Sequence, residues 1–310
     1  MTNFSVTRSC GLILCAMVIV ATPVVCRAQA PAPALVATGD PVEERWDVTL
    51  DGRVGAPIGR LRVGEFPTGI NKRSGAPGSP GTTLRLHDLG IDVSEAVEGT
   101  VGFHVTPTDA VRAGFLYYFL DGRTTLHHSI FYNGPEFTGP SLSTNADFYR
   151  LSLDYERTLL SRPSGERLIA SAGLTYVNFN PTLTGNNRSG ASSEANGRSN
   201  SEDFYRQELP VPILGLRWDH VLHPGLLLRS SVSGGFLPRV DSLRTEGGTI
   251  YLQQDHVDAG LALVYTIGRH TEIDGGYHFM YFLQHEKSHE DNNAFELIDN
   301  AFQLRVTGRF

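Results

Sequence analysis

The chain has 310 residues, of which 40% are hydrophobic and 19% are charged, and its formal net charge is -7 at pH 7. Its aliphatic and aromatic content excludes a disordered chain, and its evenly spread polar residues exclude a bundle of transmembrane helices. The acidic balance makes nucleic acid a poor partner.

The first thirty residues have the pattern of a secretory signal. Arg8 supplies the positive charge, and Gly11 to Val25 is an apolar stretch too short for a transmembrane helix, which needs about 20 residues. Cleavage after Ala30 would place Pro31 directly beyond the scissile bond, where its ring fits a protease poorly. We therefore predict an exported chain that is cleaved after Ala28.

The cysteines are confined to this signal, as Cys10, Cys15 and Cys26. The exported chain then contains no cysteine, which excludes a small domain held together by disulfides.

Downstream of the signal, apolar and polar residues alternate with a period of two, which is typical of strands with one apolar face. Nine segments show this alternation: 101–105, 111–119, 150–156, 168–176, 214–219, 226–236, 257–267, 273–283 and 302–310. The first two flank the turn at Thr106 to Asp109 and predict a hairpin. Five or six residues on one face exceed an ordinary globular strand and suit a membrane crossing of about 9 to 11 residues. The chain is therefore predicted to be all-β.

The connections between these segments alternate in length. The short connections are 161–166, 223–224 and 268–270, and the long ones are Asn133 to Thr144, Pro181 to Asp203, Arg239 to Gly248 and His285 to Asn293. Short turns on one side and long loops on the other are typical of bacterial outer-membrane barrels. Pro181 to Asp203 is so polar that we expect it to be the most mobile external loop, with a linker between two domains as the alternative.

Three further segments before residue 90 are candidates for strands, namely Trp46 to Gly55, Ile58 to Phe66 and Thr82 to His87. If all three are strands, the chain forms an antiparallel transmembrane β-barrel of about 12 strands, an even number as is usual for such barrels. If Trp46 to Phe66 lies inside the barrel or folds back outside it, the alternative is 10 strands.

The last strand, AFQLRVTGRF, carries its apolar residues on one parity: Phe302, Leu304, Val306 and Phe310. It resembles the closing strand of Gram-negative outer-membrane β-barrel proteins, which ends in phenylalanine, although Gly308 stands where a hydrophobic residue is more usual. The resemblance implies that these four residues form an assembly signal, which the barrel-assembly machinery recognises during biogenesis.

The resemblance also implies a location in the cell outer membrane, with outer-membrane lipid and lipopolysaccharide as surroundings. The predicted domains are a signal peptide over residues 1–28, an N-terminal periplasmic linker over residues 29–45 and an outer-membrane β-barrel over residues 46–310.

Closing these strands into a barrel turns the apolar face towards lipid and the alternate residues towards the lumen. The polar residues predicted to line the lumen are Arg150, Asp154, Glu156, Arg217, Asp219, Arg229, Glu272, Asp274, His278, Arg305 and Arg309. Mixed charge of this kind either lines a selective pore or neutralises itself as a plug. About twelve strands favour a narrow or obstructed lumen, because wide channels have about 16 to 18.

These observations predict a narrow channel or a barrel that transports or binds small solutes, in the broad sense porin-like. The first alternative is a closed structural or surface-interaction barrel, and the second is an outer-membrane hydrolase. The oligomeric state is left open.

The hydrolase alternative depends on histidines. His127-His128-Ser129 is similar, only in having a histidine near a serine, to the catalytic residues of lipid A deacylases and outer-membrane phospholipases. Asp219-His220 and Asp255-His256 each pair an acid with a histidine, but adjacent residues of a strand face opposite sides. We therefore expect no catalytic residue and no enzymatic activity.

The loop that contains His285, Glu286, His289 and Glu290 is a candidate metal site, because these residue types bind divalent cations. No further ligand from a strand is evident, and a polar loop tip is the simpler interpretation. We expect neither a metal nor another cofactor.

Overall fold

The structure is a computed structural model that describes residues 45–64, 81–133, 136–188, 194–201, 209–245, 249–288 and 291–310. The signal peptide over residues 1–28, its cleavage after Ala28 and the linker as far as residue 44 lie outside the described residues. None of the described residues belongs to a helix long and apolar enough to span a membrane.

Within the described residues the chain forms sixteen strands and one short 3-10 helix. The strands are β1 (Trp46–Arg62), β2 (Leu84–Arg85), β3 (Ser94–His104), β4 (Asp109–Phe119), β5 (Asp121–Thr125), β6 (Ile130–Phe131), β7 (Glu136–Asn145), β8 (Phe148–Ser161), β9 (Arg167–Phe179), β10 (Thr182–Arg188), β11 (Glu194–Ser201), β12 (Val211–His223), β13 (Leu226–Thr245), β14 (Thr249–Ile267), β15 (Thr271–Lys287) and β16 (Asn292–Arg309); the helix is His87–Leu89.

Ten of these strands close into an antiparallel barrel in the order β1-β3-β4-β8-β9-β12-β13-β14-β15-β16, and β16 pairs again with β1. The closing seam runs from Asp47 opposite Arg309 to Arg62 opposite Ala294. The all-β barrel predicted from the alternation is confirmed, and its ten strands match the alternative count rather than twelve.

The difference in strand count comes from the first ninety residues. Residues 46–55 and 58–62, expected to be two strands, are one continuous strand, because Gly55, Ala56 and Pro57 stay paired with β16. Thr82 to His87 contributes only β2, two residues that pair with the end of β1 beyond β3 and stand outside the barrel path.

The two ends of the barrel differ. The connections β3–β4, β8–β9, β12–β13 and β14–β15 are turns at one end, which we call the short-turn end, together with Trp46 and Phe310. The other five connections lie at the opposite, long-loop end. At the short-turn end, the Pro224-Gly225 turn has glycine at φ 83°, a conformation that glycine adopts without strain.

The barrel wall has an apolar outer face and a largely polar inner face, which follows from the period-two alternation. On β14, Leu261 is 51% exposed whereas its neighbour Ala262 is 9% exposed. β13 and β14 contain 20 and 19 residues, more than the 9 to 11 or so that cross a membrane. These strands are therefore longer than a membrane crossing requires.

A second sheet lies within two of the long connections, in the order β11-β10-β7-β5, with β6 also paired to β7. Residues 136–144, 182–188 and 194–201 lie in the long connections Asn133 to Thr144 and Pro181 to Asp203, and they form strands that the alternation of residues did not predict. The cause is pairing between distant segments, such as Thr182 opposite Asn145, which local composition does not reveal.

Candidate functional site: the barrel lumen

All eleven polar residues predicted to line the lumen lie on the inner face. Nine of them line cavities inside the barrel: Arg150, Asp154, Glu156, Arg217, Arg229, Glu272, His278, Arg305 and Arg309. The other two, Asp219 and Asp274, are fully buried carboxylates that pair with Arg229. Sequence reasoning missed further interior charges: Asp47, Asp51, Arg53, Glu98, Arg112, Asp258 and Asp299.

A cavity of about 320 Å³ occupies the half of the lumen next to the short-turn end. We call it the charged cup. Arg112 bridges Asp47 and Glu156 on its wall, and Arg217 pairs with Glu156 at 3.2 Å. The pairs Arg112–Asp47 and Arg217–Glu156 connect strands that share no backbone hydrogen bonds, namely β4 with β1 and β12 with β8.

Arg229 is the hub of a second group of ion pairs in the cup. Its guanidinium lies 2.9 Å from Asp219, 2.8 Å from Asp274 and 3.2 Å from Glu272. One cation thus links β12, β13 and β15, and three N–H-bearing nitrogens meet three carboxylates, the arrangement for which a planar guanidinium is suited.

Farther from the short-turn end, Arg150 on β8 donates to Asp258 on β14 at 2.9 Å. These strands are four positions apart in the ring of ten, so this pair, which we call the crossbar, crosses most of the lumen. His278 lies beside it, with Nε2 3.4 Å from Asp258 Oδ1. A second cavity of about 220 Å³, the mid-lumen cavity, lies against the crossbar and shares part of its lining with the cup.

Beyond the crossbar the lumen is filled by four phenylalanines, which we call the aromatic plug. Phe148 on β8 stacks on Phe282 on β15 with ring centroids 5.6 Å apart, and Phe179 on β9 stacks on Phe295 on β16 at 4.1 Å. Each pair joins strands five positions apart in the ring of ten. Diametrically opposite walls are therefore in contact through aromatic rings.

The aromatic plug continues into an apolar cluster at the long-loop end. The connection between β1 and β3 adds buried Leu84, Leu86 and Ile91, and the second sheet adds Phe137 and Leu142. Tyr118, at the edge of this cluster, donates to buried Asp299 at 3.0 Å. Wall, connection and second sheet thus share one apolar core.

The histidines considered for catalysis are scattered. His127, His128 and Ser129 are exposed in the connection between β5 and β6. Asp219 points into the lumen and pairs with Arg229, whereas His220 contacts Trp218 on the outer face.

The second candidate pair is divided in the same way. His256 is buried inside the barrel beside Gln254 at 3.0 Å, and Asp255 lies on the other face beside Gln253. Neither adjacent pair forms a dyad.

Of the four candidate metal ligands in the His285 to Asn293 loop, His289 and Glu290 lie outside the described residues. His285 on β15 contacts the side chain of Asn292 at 3.1 Å. Among the described residues no group of three or more potential ligands is close enough to hold a metal ion.

At the short-turn end, the turn between β8 and β9 is attached to β12. Arg162 donates to Glu166 at 2.7 Å, and the ring of His220 lies 2.8 Å from the other carboxylate oxygen. Hydrogen bonds from Arg162 and then His220 lower the pKa of the Glu166 carboxyl below its usual value. Glu166 therefore stays ionised through the mildly acidic range.

The predicted assembly signal lies on the closing strand. Three of its residues face outwards: Phe302, Leu304 and Phe310. Phe302 is 80% exposed, and Val306 lies on the same side of the strand. Phe310 also completes the seam by exchanging two backbone hydrogen bonds with Trp46.

No protein-family model and no curated protein matches the sequence. The solved structures that resemble it include the outer membrane protease OmpT from Escherichia coli, with 13% identity over 85% of this chain and 97% of that chain and a TM-score of 0.49. The translocator domain of the autotransporter NalP from Neisseria meningitidis has 15% identity over 86% and 88%, with a TM-score of 0.42. The Pseudomonas putida toluene transporter TodX has 10% identity over 86% and 89%, with a TM-score of 0.31. The strand pairing itself, closed between β16 and β1, confirms the expected antiparallel β-barrel.

Proposed function

We propose that this protein resides in the outer membrane as a closed barrel that acts at the cell surface through its second sheet, rather than as an open pore. The orientation follows from the connections, since short turns face the periplasm and long loops face outwards in barrels of this type. The charged cup then opens towards the periplasm, and the aromatic plug and second sheet lie on the outer side.

The observation that carries this proposal is the contact of Phe148 with Phe282 and of Phe179 with Phe295 across the full width of the lumen. A channel needs a continuous hydrated path, and close-packed aromatic rings leave no room for water between them. The crossbar supplies a second obstruction in series.

Single-channel recording in a planar bilayer tests the proposal. We expect the folded barrel to show no discrete conductance, and the double variant Phe148→Ser, Phe282→Ser to conduct or to leak more than the wild type. Phe236→Ser is the matched control, because Phe236 on β13 is exposed on the outer face and its removal leaves the aromatic plug intact. Steady conductance by the wild type would contradict closure.

Transport of small solutes is the second candidate, and the charged cup of about 320 Å³ favours it. A cavity of that size accommodates a small polar molecule and faces the periplasm in this orientation. Transport requires the aromatic plug to move aside, so it predicts conductance or uptake by the wild-type barrel. The hydrolase alternative has no comparable support, and turnover of phospholipid or lipid A by the purified barrel would reveal it.

A further inference from the structure

The mid-lumen cavity has room for a ligand because small side chains line one side of it. Ser152 on β8, Ser171 on β9, Ser231 and Ser233 on β13 and Gly260 on β14 all face it. Its volume of about 220 Å³ is several times the share of one water molecule in the liquid, about 30 Å³. The cavity adjoins the charged cup, with which it shares lining residues that include Asp154 and Glu156.

Two side chains that line this cavity are more than nine-tenths buried, and each has nitrogen atoms without a hydrogen-bond partner among the described residues. The side chain of Arg53 is 3% exposed, and its Nε and Nη1 have no hydrogen-bond partner among the described residues, although Nη2 binds Asp51 and Glu98. His278 Nδ1 is likewise unpartnered within the described part of the chain. Buried polar nitrogens without partners are costly, so a ligand acceptor that reached Arg53 would be stabilised there.

A carboxylate without an ion pair lies between the two cavities. Asp154 lines both, yet the described residues place no cation within ion-pair distance of it. Its Oδ1 lies over Gly173, where a Cβ atom would come within 2.2 Å. Glycine at 173 thus leaves space for this carboxylate, whereas its neighbour Glu156 is held by Arg112 and Arg217.

The charges that line the mid-lumen cavity balance. Four arginines face four carboxylates: Arg53, Arg150, Arg229 and Arg305 against Glu98, Asp154, Glu156 and Asp258. An ion of either sign would add uncompensated charge to a confined space. A molecule that carries both charges keeps the balance and supplies an acceptor for Arg53 together with a donor for Asp154.

We propose that the mid-lumen cavity binds a small zwitterion of the amino-acid type, whose carboxylate accepts hydrogen bonds from Arg53 and whose ammonium group donates to Asp154. His278 Nδ1 offers a further polar contact. The site does not depend on closure of the barrel, because the ligand enters from the periplasmic end in either case.

Calorimetric titration of the folded, detergent-solubilised barrel at pH 7 tests the site. The probes are glycine, β-alanine and 4-aminobutyrate, which differ in the separation of their charges, with acetate and methylamine as single-charge fragments. We expect at least one of the three zwitterions to bind, and both fragments to bind at least tenfold more weakly. Asp154→Asn should weaken zwitterion binding at least tenfold, whereas Glu166→Gln, which removes a carboxylate at the short-turn end, should not change it.

Ser231→Leu provides an independent test, because it fills the cavity from β13 without altering a charged group, and we expect it to abolish binding. Heat-modifiable migration in electrophoresis checks that each variant is folded. Failure of all three zwitterions to bind, equal binding of acetate, or unchanged affinity in the folded Asp154→Asn or Ser231→Leu variant would each overturn the proposal. Planar-bilayer conductance leaves these outcomes unaffected, so the two proposals fail separately.

Discussion

Arg229 shows how a single residue holds the interior of this barrel together. Its guanidinium satisfies Asp219, Asp274 and Glu272, two of which are completely buried. Removing one partner of a buried ion pair costs about 3 to 5 kcal/mol, because the remaining charge stays desolvated and unpaired. Loss of Arg229 would leave three carboxylates close together without a cation between them. Arg229 therefore stabilises the barrel partly by preventing repulsion among these carboxylates.

We therefore predict that Arg229→Met lowers the free energy of unfolding by about 3 to 5 kcal/mol. Arg167→Met is the matched control: Arg167 pairs with the same Asp219, but its side chain is 37% exposed against 10% for Arg229. An exposed pair contributes about 1 kcal/mol or less. Urea unfolding in phospholipid vesicles, followed by tryptophan fluorescence, measures both, and equal losses would refute the assignment of Arg229 as the hub.

At this scale the alternation of residues was informative. Parity alone placed Arg150, Asp154 and nine other polar residues on the inner face, where the structure has them. Asp47 and Arg53 also follow the period-two alternation, but they were not predicted, because no inner face was assigned to the candidate strand Trp46 to Gly55. The ion-pair partners of each residue could not be predicted from the sequence, because they depend on which strands face one another across the lumen.

At the scale of elements, the second sheet is the feature that the sequence did not predict. β10 consists of TLTGNNR, a polar and glycine-containing segment with little intrinsic preference for a strand. It is a strand because it pairs with β7 from another connection, and because β7 places Phe137 and Leu142 in the apolar core. Tertiary pairing overrides local propensity here.

Docking of this sheet should depend on Phe137. It is fully buried, so Phe137→Ala should remove about 3 to 5 kcal/mol of packing and raise hydrogen exchange of the β7 and β10 amides at least tenfold. Phe131→Ala is the control, since Phe131 on the neighbouring β6 is exposed and its removal should leave exchange unchanged. Exchange measured by mass spectrometry decides, and unchanged protection in Phe137→Ala would show that the sheet is held by its own hydrogen bonds.

At the scale of the whole molecule, the interior changes character along the barrel axis. The charged cup, the crossbar and the aromatic plug follow one another from the short-turn end to the long-loop end. Mixed charge in a narrow lumen was predicted from alternation, and both an open pore and a closed interior agree with that pattern. The apolar closure was not predicted, because Phe148 and Phe282 meet only once the ring order of ten strands is known.

If the barrel lies in a membrane, the outer face of its wall contacts lipid, and this can be tested on β14. On β14, Leu261 points outwards and Ala262 inwards. An arginine facing lipid near the midplane costs about 2 to 4 kcal/mol, whereas an inward one can reach water or a carboxylate. We predict that Leu261→Arg impairs folding more than Ala262→Arg. The inner substitution also destabilises the barrel to a smaller extent, because the longer side chain crowds its neighbours.

A soluble sandwich would also be damaged by Leu261→Arg, so labelled cysteines are needed to separate the two cases. All three natural cysteines lie before residue 29, which makes Leu261→Cys and Ala262→Cys unique labelling sites in residues 29–310. Lipids with brominated acyl chains should quench a fluorophore at position 261 and spare one at position 262, because successive residues of a strand face opposite sides of the wall. Equal shielding of both positions from lipid would mean that the apolar face packs against protein, and the membrane location would then be wrong even though the barrel topology stands.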